Sequence, residues 1–253
     1  MEIRALALPR SVLLAVWVQL SGPGSGPVDR AVRAVQGDDE PHTVSGEVTG
    51  RLTDLIAAWG GGEREAAALL PVPGDVAGVP TEVSHAAGAA GECVLVHTST
   101  GSFAAVPQIT TFGSVYEPGH LVTWAVRRVP DWRTALLGTG SLAQAERDLR
   151  GALVTATEAL AALDVARWRP GAAEAIAALR SDVAWPVPTG LDARRLRVLI
   201  AAARLRAIVE LATADDGGAV NLWQSDQRST ALREVDRAAR RAMCAATAHV
   251  GPD

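Results

Sequence analysis

The chain contains no lysine. All 24 of its basic residues are arginine, so mechanisms that need an ε-amino group are closed to it. There is no lysine for a Schiff base, for a Walker-type phosphate grip or for the kinase strand position. Asparagine occurs once, at Asn221, tyrosine once, at Tyr116, and phenylalanine twice, a skew that follows from GC-rich codon usage. Cysteine is also scarce. Cys93 and Cys244 lie far apart, so no CxxC, no Cys/His ligand spacing and no disulfide framework can be read. Both are expected to be small buried hydrophobes. Long apolar runs are missing as well, since no stretch reaches the ~18–20 residues of a membrane span. Charge of neither sign dominates: the net charge is -4, and neither half has the basic excess of an electrostatic nucleic-acid binder.

What is present suits a folded domain. The chain has 253 residues, of which 48% are hydrophobic and 21% charged, enough for one large core or two small ones. The longest periodic stretch runs from Ser141 to Leu163, where Leu142, Ala145, Leu149, Ala152, Ala156 and Ala159 step by three and four. This is the spacing of a helix pressed on other helices, and Ser141 with Gln144 forms a capping-box signature. The stretch is expected to pack against a two-faced helix over 192–213, followed by a last helix carrying Leu232, Val235, Ala239, Met243 and Ala246. Pro170 predicts a break before a shorter helix over 171–180.

Upstream, Arg4, Arg10 and the apolar run from Ser11 to Val18 imitate a secretory signal. Pro9 at a helix start and the helical spacing of Leu13, Trp17 and Leu20 favour a docked first helix and a cytoplasmic location. Short helices follow near residues 27–37 and at Leu52–Trp59. Strands are expected at Ala66–Val72, Cys93–His97, Phe103–Val106, Ile109–Phe112 and His120–Val129, with Pro107 separating the third from the fourth. The fold class is therefore α+β. N-terminal helices cover a small, mainly antiparallel sheet (residues 1–135), and an antiparallel bundle of about four helices follows (residues 141–250). One continuous domain is the other arrangement.

Three segments, Leu163–Pro170, Ala214–Val220 and Gly37–His42, resemble recurring segments of an uncharacterised protein family of high-GC Gram-positive bacteria. The resemblance covers most of the chain. It implies no catalytic role, because the family has no assigned activity.

Candidate chemistry is thin. Asp38, Asp39, Glu40 and His42 form the densest cluster of potential metal ligands, although consecutive carboxylates do not converge on one ion without an unusual backbone. A solvated acidic connection ahead of a helix is the simpler reading. His97 and His120, at strand ends beside loops with Ser99, Ser102 and Ser114, are the candidate catalytic residues for a hydrolytic site. Gly138-Thr139-Gly140 has the look of a dinucleotide fingerprint but lacks the flanking strands, so no cofactor is expected. The arginines at 194–206 and at 233, 237 and 240 are read as ion-paired helix faces that cover apolar surface with their stems. Two functions remain. One is a non-catalytic protein acting through a protein partner or self-association, without nucleic acid or membrane. The other is an enzyme of unrecognised type, metal-dependent or hydrolytic, with a site between the sheet and the helical half.

Overall fold

The computed structural model describes residues 6–21, 28–76, 78–114, 116–137, 140–162, 185–213 and 222–248. Within them the chain is α+β, with eight helices and a six-stranded sheet. The chain begins with α1 (Arg10–Leu20), α2 (Val28–Gln36), β1 (Thr43–Gly46), β2 (Gly50–Arg51), α3 (Leu52–Trp59) and β3 (Arg64–Leu69). Then come α4 (Ser84–Ala90), β4 (Cys93–Thr98), β5 (Gly101–Gly113), β6 (Pro118–Val129) and α5 (Arg133–Leu137). Three long helices close the chain, α6 (Leu142–Ala162), α7 (Ala193–Thr213) and α8 (Leu222–Thr247).

All eight residues from Ser11 to Val18 of α1 are buried, as a helix apolar on every side requires. It lies against β3 and β4. The stripe Leu52, Leu55, Ile56 and Trp59 of α3 is buried as its spacing predicts, and α3 packs on α2.

The sheet runs in the order β2-β1-β6-β5-β4-β3. Strands β3 to β6 form the expected antiparallel meander. The sheet as a whole is mixed, however, because β1 joins β6 in parallel, with Val44 opposite Trp124. β1 is four residues long and buries only Val44, so it offers no apolar run to read. Its last residue, Gly46, has φ +101°, and a Cβ there would lie 2.1 Å from the Val126 carbonyl oxygen. Only glycine permits that turn-out from the sheet. A second correction concerns Pro107, which does not divide the stretch into separate strands. β5 is continuous, with Pro107 opposite Trp124. A proline can stand in a ladder when its nitrogen faces away from the partner strand. Here it faces the flank where β4 has already ended, at Val94 opposite Ala105.

One face of the sheet, with Ala66, Val94, Val96, Ala105, Val122 and Trp124, shares a single buried cluster with residues of α1, α3, α7 and α8. The other face, with Ala67, Leu69, Leu95, Ala104 and Val106, is covered by Val83, Ala87, Trp132 and Leu136. Both cysteines are buried. Burial pushes the Cys93 thiol up to about 12, so this thiol stays protonated and unreactive at neutral pH.

Ser141 Oγ accepts the Gln144 N–H at 3.2 Å. The Gln144 side chain turns to Asp148 and Arg147 instead of back to Ser141, so this half of the cap is replaced by links along the helix. α6 packs on α7 as expected, but more extensively on α8. The helix with neighbours on several sides is α8, which meets α1, α6, α7 and β3. Arg195 reaches the carbonyls of Ala245, Ala246 and Ala248, and Arg206 meets Asp236, which sets α7 and α8 as antiparallel neighbours. The expected helix over 171–180, the Leu163–Pro170 and Ala214–Val220 segments and the Gly138-Thr139 pair lie outside the described residues.

Candidate functional site

The acidic stretch after α2 resolves into one buried hub and two exposed neighbours. Asp39 receives both arms of the Arg10 guanidinium, Nε on Oδ2 at 2.5 Å and a terminal nitrogen on Oδ1 at 2.7 Å. Arg10 is the first residue of α1, so the pair ties that helix to the 37–42 connection. His42 Nε2 lies 3.1 Å from Asp39 Oδ2, and His120 Nδ1 of β6 lies 3.3 Å from Oδ1. Trp124 Nε1 donates to His42 Nδ1 at 3.1 Å. An indole only donates, so Nδ1 carries no proton and the Nε2 proton is the one given to Asp39. The Asp39 side chain is 8% exposed and that of His42 fully buried, whereas Asp38 and Glu40 face solvent.

Electrostatics follow from this geometry. Burial pushes His42 below its ordinary pKa, outweighing the pull of Asp39. Burial alone would raise Asp39, but the hydrogen bonds and charge of Arg10, with His42, hold its carboxyl below the usual range. The same contact raises Arg10 against its burial. Stability is therefore expected to decline as pH falls from about 7 through about 6.5, because the unfolded chain takes up an imidazole proton that the folded chain resists. Asp39 adds a second loss below about 4, where the unfolded carboxylate protonates first. His42→Gln keeps a donor and an acceptor without titrating. Urea midpoints between about pH 7 and 5 should fall less steeply in this variant than in the wild type; equal slopes would remove His42 from the account.

The four candidate metal residues are thus not brought together. Asp39 and His42 meet, Asp38 and Glu40 point away, and an arginine stands where a cation would. Among the described residues, no group of three or more His, Cys, Asp or Glu is placed to hold a metal ion.

The two candidate catalytic histidines are also separated. His97 sits opposite Ser102, and His120 opposite Thr111, on the same strand β5. Nine positions of strand put roughly 30 Å between them, and an odd offset puts them on opposite faces. His97 Nδ1 lies 2.8 Å from Ser102 Oγ, but Ser102 is only 5% exposed. Glu65, across from His97, and Asp131 are both bridged by Arg133.

The remaining feature was not legible as a site in the sequence. β5 and β6 continue as a hairpin well past the end of β4, and all six residues from Gln108 to Gly113 are exposed. The β6 flank is covered by the incoming chain, with the Glu40 N–H on the His120 carbonyl and β1 beyond it. Among the described residues no strand covers the β5 flank. Ile109, Phe112 and Leu121 are 38%, 43% and 51% exposed, and Tyr116 near the tip is 93% exposed. The Phe112 ring lies over Gly119, where a Cβ would meet it at 2.4 Å, and Ser114 Oγ accepts the Tyr116 and Glu117 N–H groups at the turn. No Asp, Glu or Arg occurs between Glu92 and Glu117, so the edge lacks the charges that usually block strand addition. The signal available was that uncharged run, together with a proline inside a β-rich stretch.

Several of the arginines read as helix faces are ion-paired, and Arg240 is also buried. Arg240 is 7% exposed and bonds Asp236, Asp75 and the Leu70 carbonyl. Arg237 pairs with Asp75 and Glu234, and Arg194 with Glu146. No described helix is long and apolar enough to cross a membrane.

Comparison with protein families gives two matches that together span most of the chain. Residues 11–137 match the model described as the N-terminal domain of Rv1486c-like protein. Residues 143–244 match the C-terminal domain of the same description. Comparison with curated proteins and with solved structures gives no match.

Proposed function

We propose, from the premise that the chain belongs to the Rv1486c-like protein family, that it is a non-catalytic protein acting through contact with a protein partner or with itself. The observation that carries this reading is the open flank of the β5–β6 hairpin. It is exposed and uncharged, and it bears large apolar side chains that a chain working alone has reason to cover. The polar groups that an enzyme would need support the same view. They divide between two ends and two faces of the sheet, and the more buried set is spent on internal hydrogen bonds. In this reading the C-terminal region, a bundle of about four helices, serves as a buttress that holds the sheet rigid beneath the hairpin. A cytoplasmic protein of a high-GC Gram-positive lineage completes it.

The test is comparative capture from the native host. Tagged wild-type chain and a Thr110→Lys/Thr111→Lys variant, both exposed positions, are recovered from lysate and their co-purifying proteins quantified. At least one protein, a second copy of the chain included, should be held by the wild type and lost by the variant. Identical captures from two equally folded proteins would overturn the proposal.

A further inference from the structure

We infer that the occupant of the open β5 flank is a second copy of this chain, added antiparallel about a two-fold axis at Thr110. The inference rests on the binding reading above and goes further by naming partner and register.

The backbone supplies the argument. Pro107 has no N–H, so in its pairing with Trp124 its nitrogen must face away from β6. The tight Thr98–Gly101 connection to β4 gives the same alternation independently. The closing pair of a two-residue hairpin is hydrogen-bonded, so Gly101, Phe103 and Ala105 turn their polar groups toward β4. Carried outward, the alternation aims the N–H and C=O of Ile109 and Thr111 at the open flank.

These two residues stand symmetrically about Thr110, inside the exposed run from Gln108 to Gly113. An antiparallel copy centred there lays Gln108 to Phe112 against the same five residues of the second copy. Ile109 and Thr111 exchange hydrogen bonds with Thr111 and Ile109 of the second copy, and Thr110 faces Thr110 across a non-hydrogen-bonded pair.

Charge also selects a copy over a foreign strand. A partner of different sequence is normally chosen by complementary charges, and none lies between Glu92 and Glu117. A neutral, β-branched strand pairs with itself without placing like charges opposite each other, even though the whole chain is negative at -4. The resulting interface is isologous, as a closed dimer requires.

Single-cysteine crosslinking tests the register, since Cys93 and Cys244 are buried. In Thr110→Cys the two Cα atoms would lie about 4.5 Å apart, within disulfide reach. In Gln108→Cys they would be displaced by about four residues of strand, beyond it. Under mild oxidation Thr110→Cys should give about tenfold more disulfide dimer than Gln108→Cys at equal concentration. Sedimentation should show wild-type dimer at micromolar concentration and Thr110→Lys/Thr111→Lys monomer. Equal crosslinking of the two cysteine variants, or a dimer that survives the two lysines, would overturn the register and the surface. A wild-type monomer whose captured protein is still lost on lysine substitution overturns self-pairing while the binding reading stands. A monomer with unchanged captures overturns both.

Discussion

Replacing Asp39 by alanine is expected to destabilise the protein by about 3 kcal/mol, at the lower end of the range for breaking a buried ion pair by removing one partner. The lower end applies because the Arg10 side chain keeps 20% exposure and can recover some hydration. The loss has several components that act together. Arg10 loses both of its acceptors at the first turn of α1, the His42 Nε2 proton loses its acceptor in a fully buried site, and His120 loses its carboxylate. For a chain of this size such a change corresponds to a fall in melting temperature of about 6–12 °C. Asp38→Ala and Glu40→Ala, at exposed neighbouring positions, should each stay within about 0.5 kcal/mol of wild type. Thermal melts of the three variants at one pH decide the matter. Similar midpoints for Asp38→Ala and Asp39→Ala would mean that the hub is not structural.

That contrast shows where sequence reasoning stops. Asp38, Asp39 and Glu40 are adjacent acids, and nothing in their order ranks them. The ranking comes from Arg10, 29 residues earlier, and from His42 and Trp124, which reach the site only because β1 lies parallel to β6. β1 is not readable, since a four-residue strand with one buried side chain has no period to detect. Elements whose burial is one-sided and long are legible. The stripe of α3, the alternation of Val122, Trp124 and Val126 on β6, and Leu232 to Ala246 on α8 all appear where their spacing puts them. Pattern alone misleads at two places. Pro107 reads as a strand break because a sequence does not show on which flank a neighbour ends. α7 reads as packed on two faces, yet on the second of them Leu196, Ile200 and Ala207 are only half-buried beside a buried Ala203. The hairpin edge is hidden for a related reason. Openness of an edge depends on where the adjacent strand stops, and that is a property of the assembled sheet.

Arg240→Ala is expected to cost about 3 kcal/mol as well, by a different route. Its guanidinium joins three regions of the molecule, with Nε on Asp236 within α8 at 2.7 Å and one terminal nitrogen on the Leu70 carbonyl at 2.9 Å. The other terminal nitrogen meets Asp75 beyond β3 at 3.0 Å. Truncation leaves a buried carbonyl without that donor and leaves Asp75 at a site where burial raises its pKa, against the Arg240 hydrogen bond and the Arg240, Arg237 and Arg241 charges that hold it down. Arg237, at 3.4 Å from Asp75 and 42% exposed, is too solvated to replace it, and Arg237→Ala should cost under about 1 kcal/mol. Lysine at 240 would keep the charge but not the planar fork that spans three acceptors, so Arg240→Lys should recover less than about half of the loss. A double-mutant cycle with Asp75→Ala should give a coupling of about 1–3 kcal/mol, as expected for residues within one buried network. Full rescue by lysine, or strict additivity in the cycle, would show that Arg240 contributes only its aliphatic stem to the packing of α8 against the sheet.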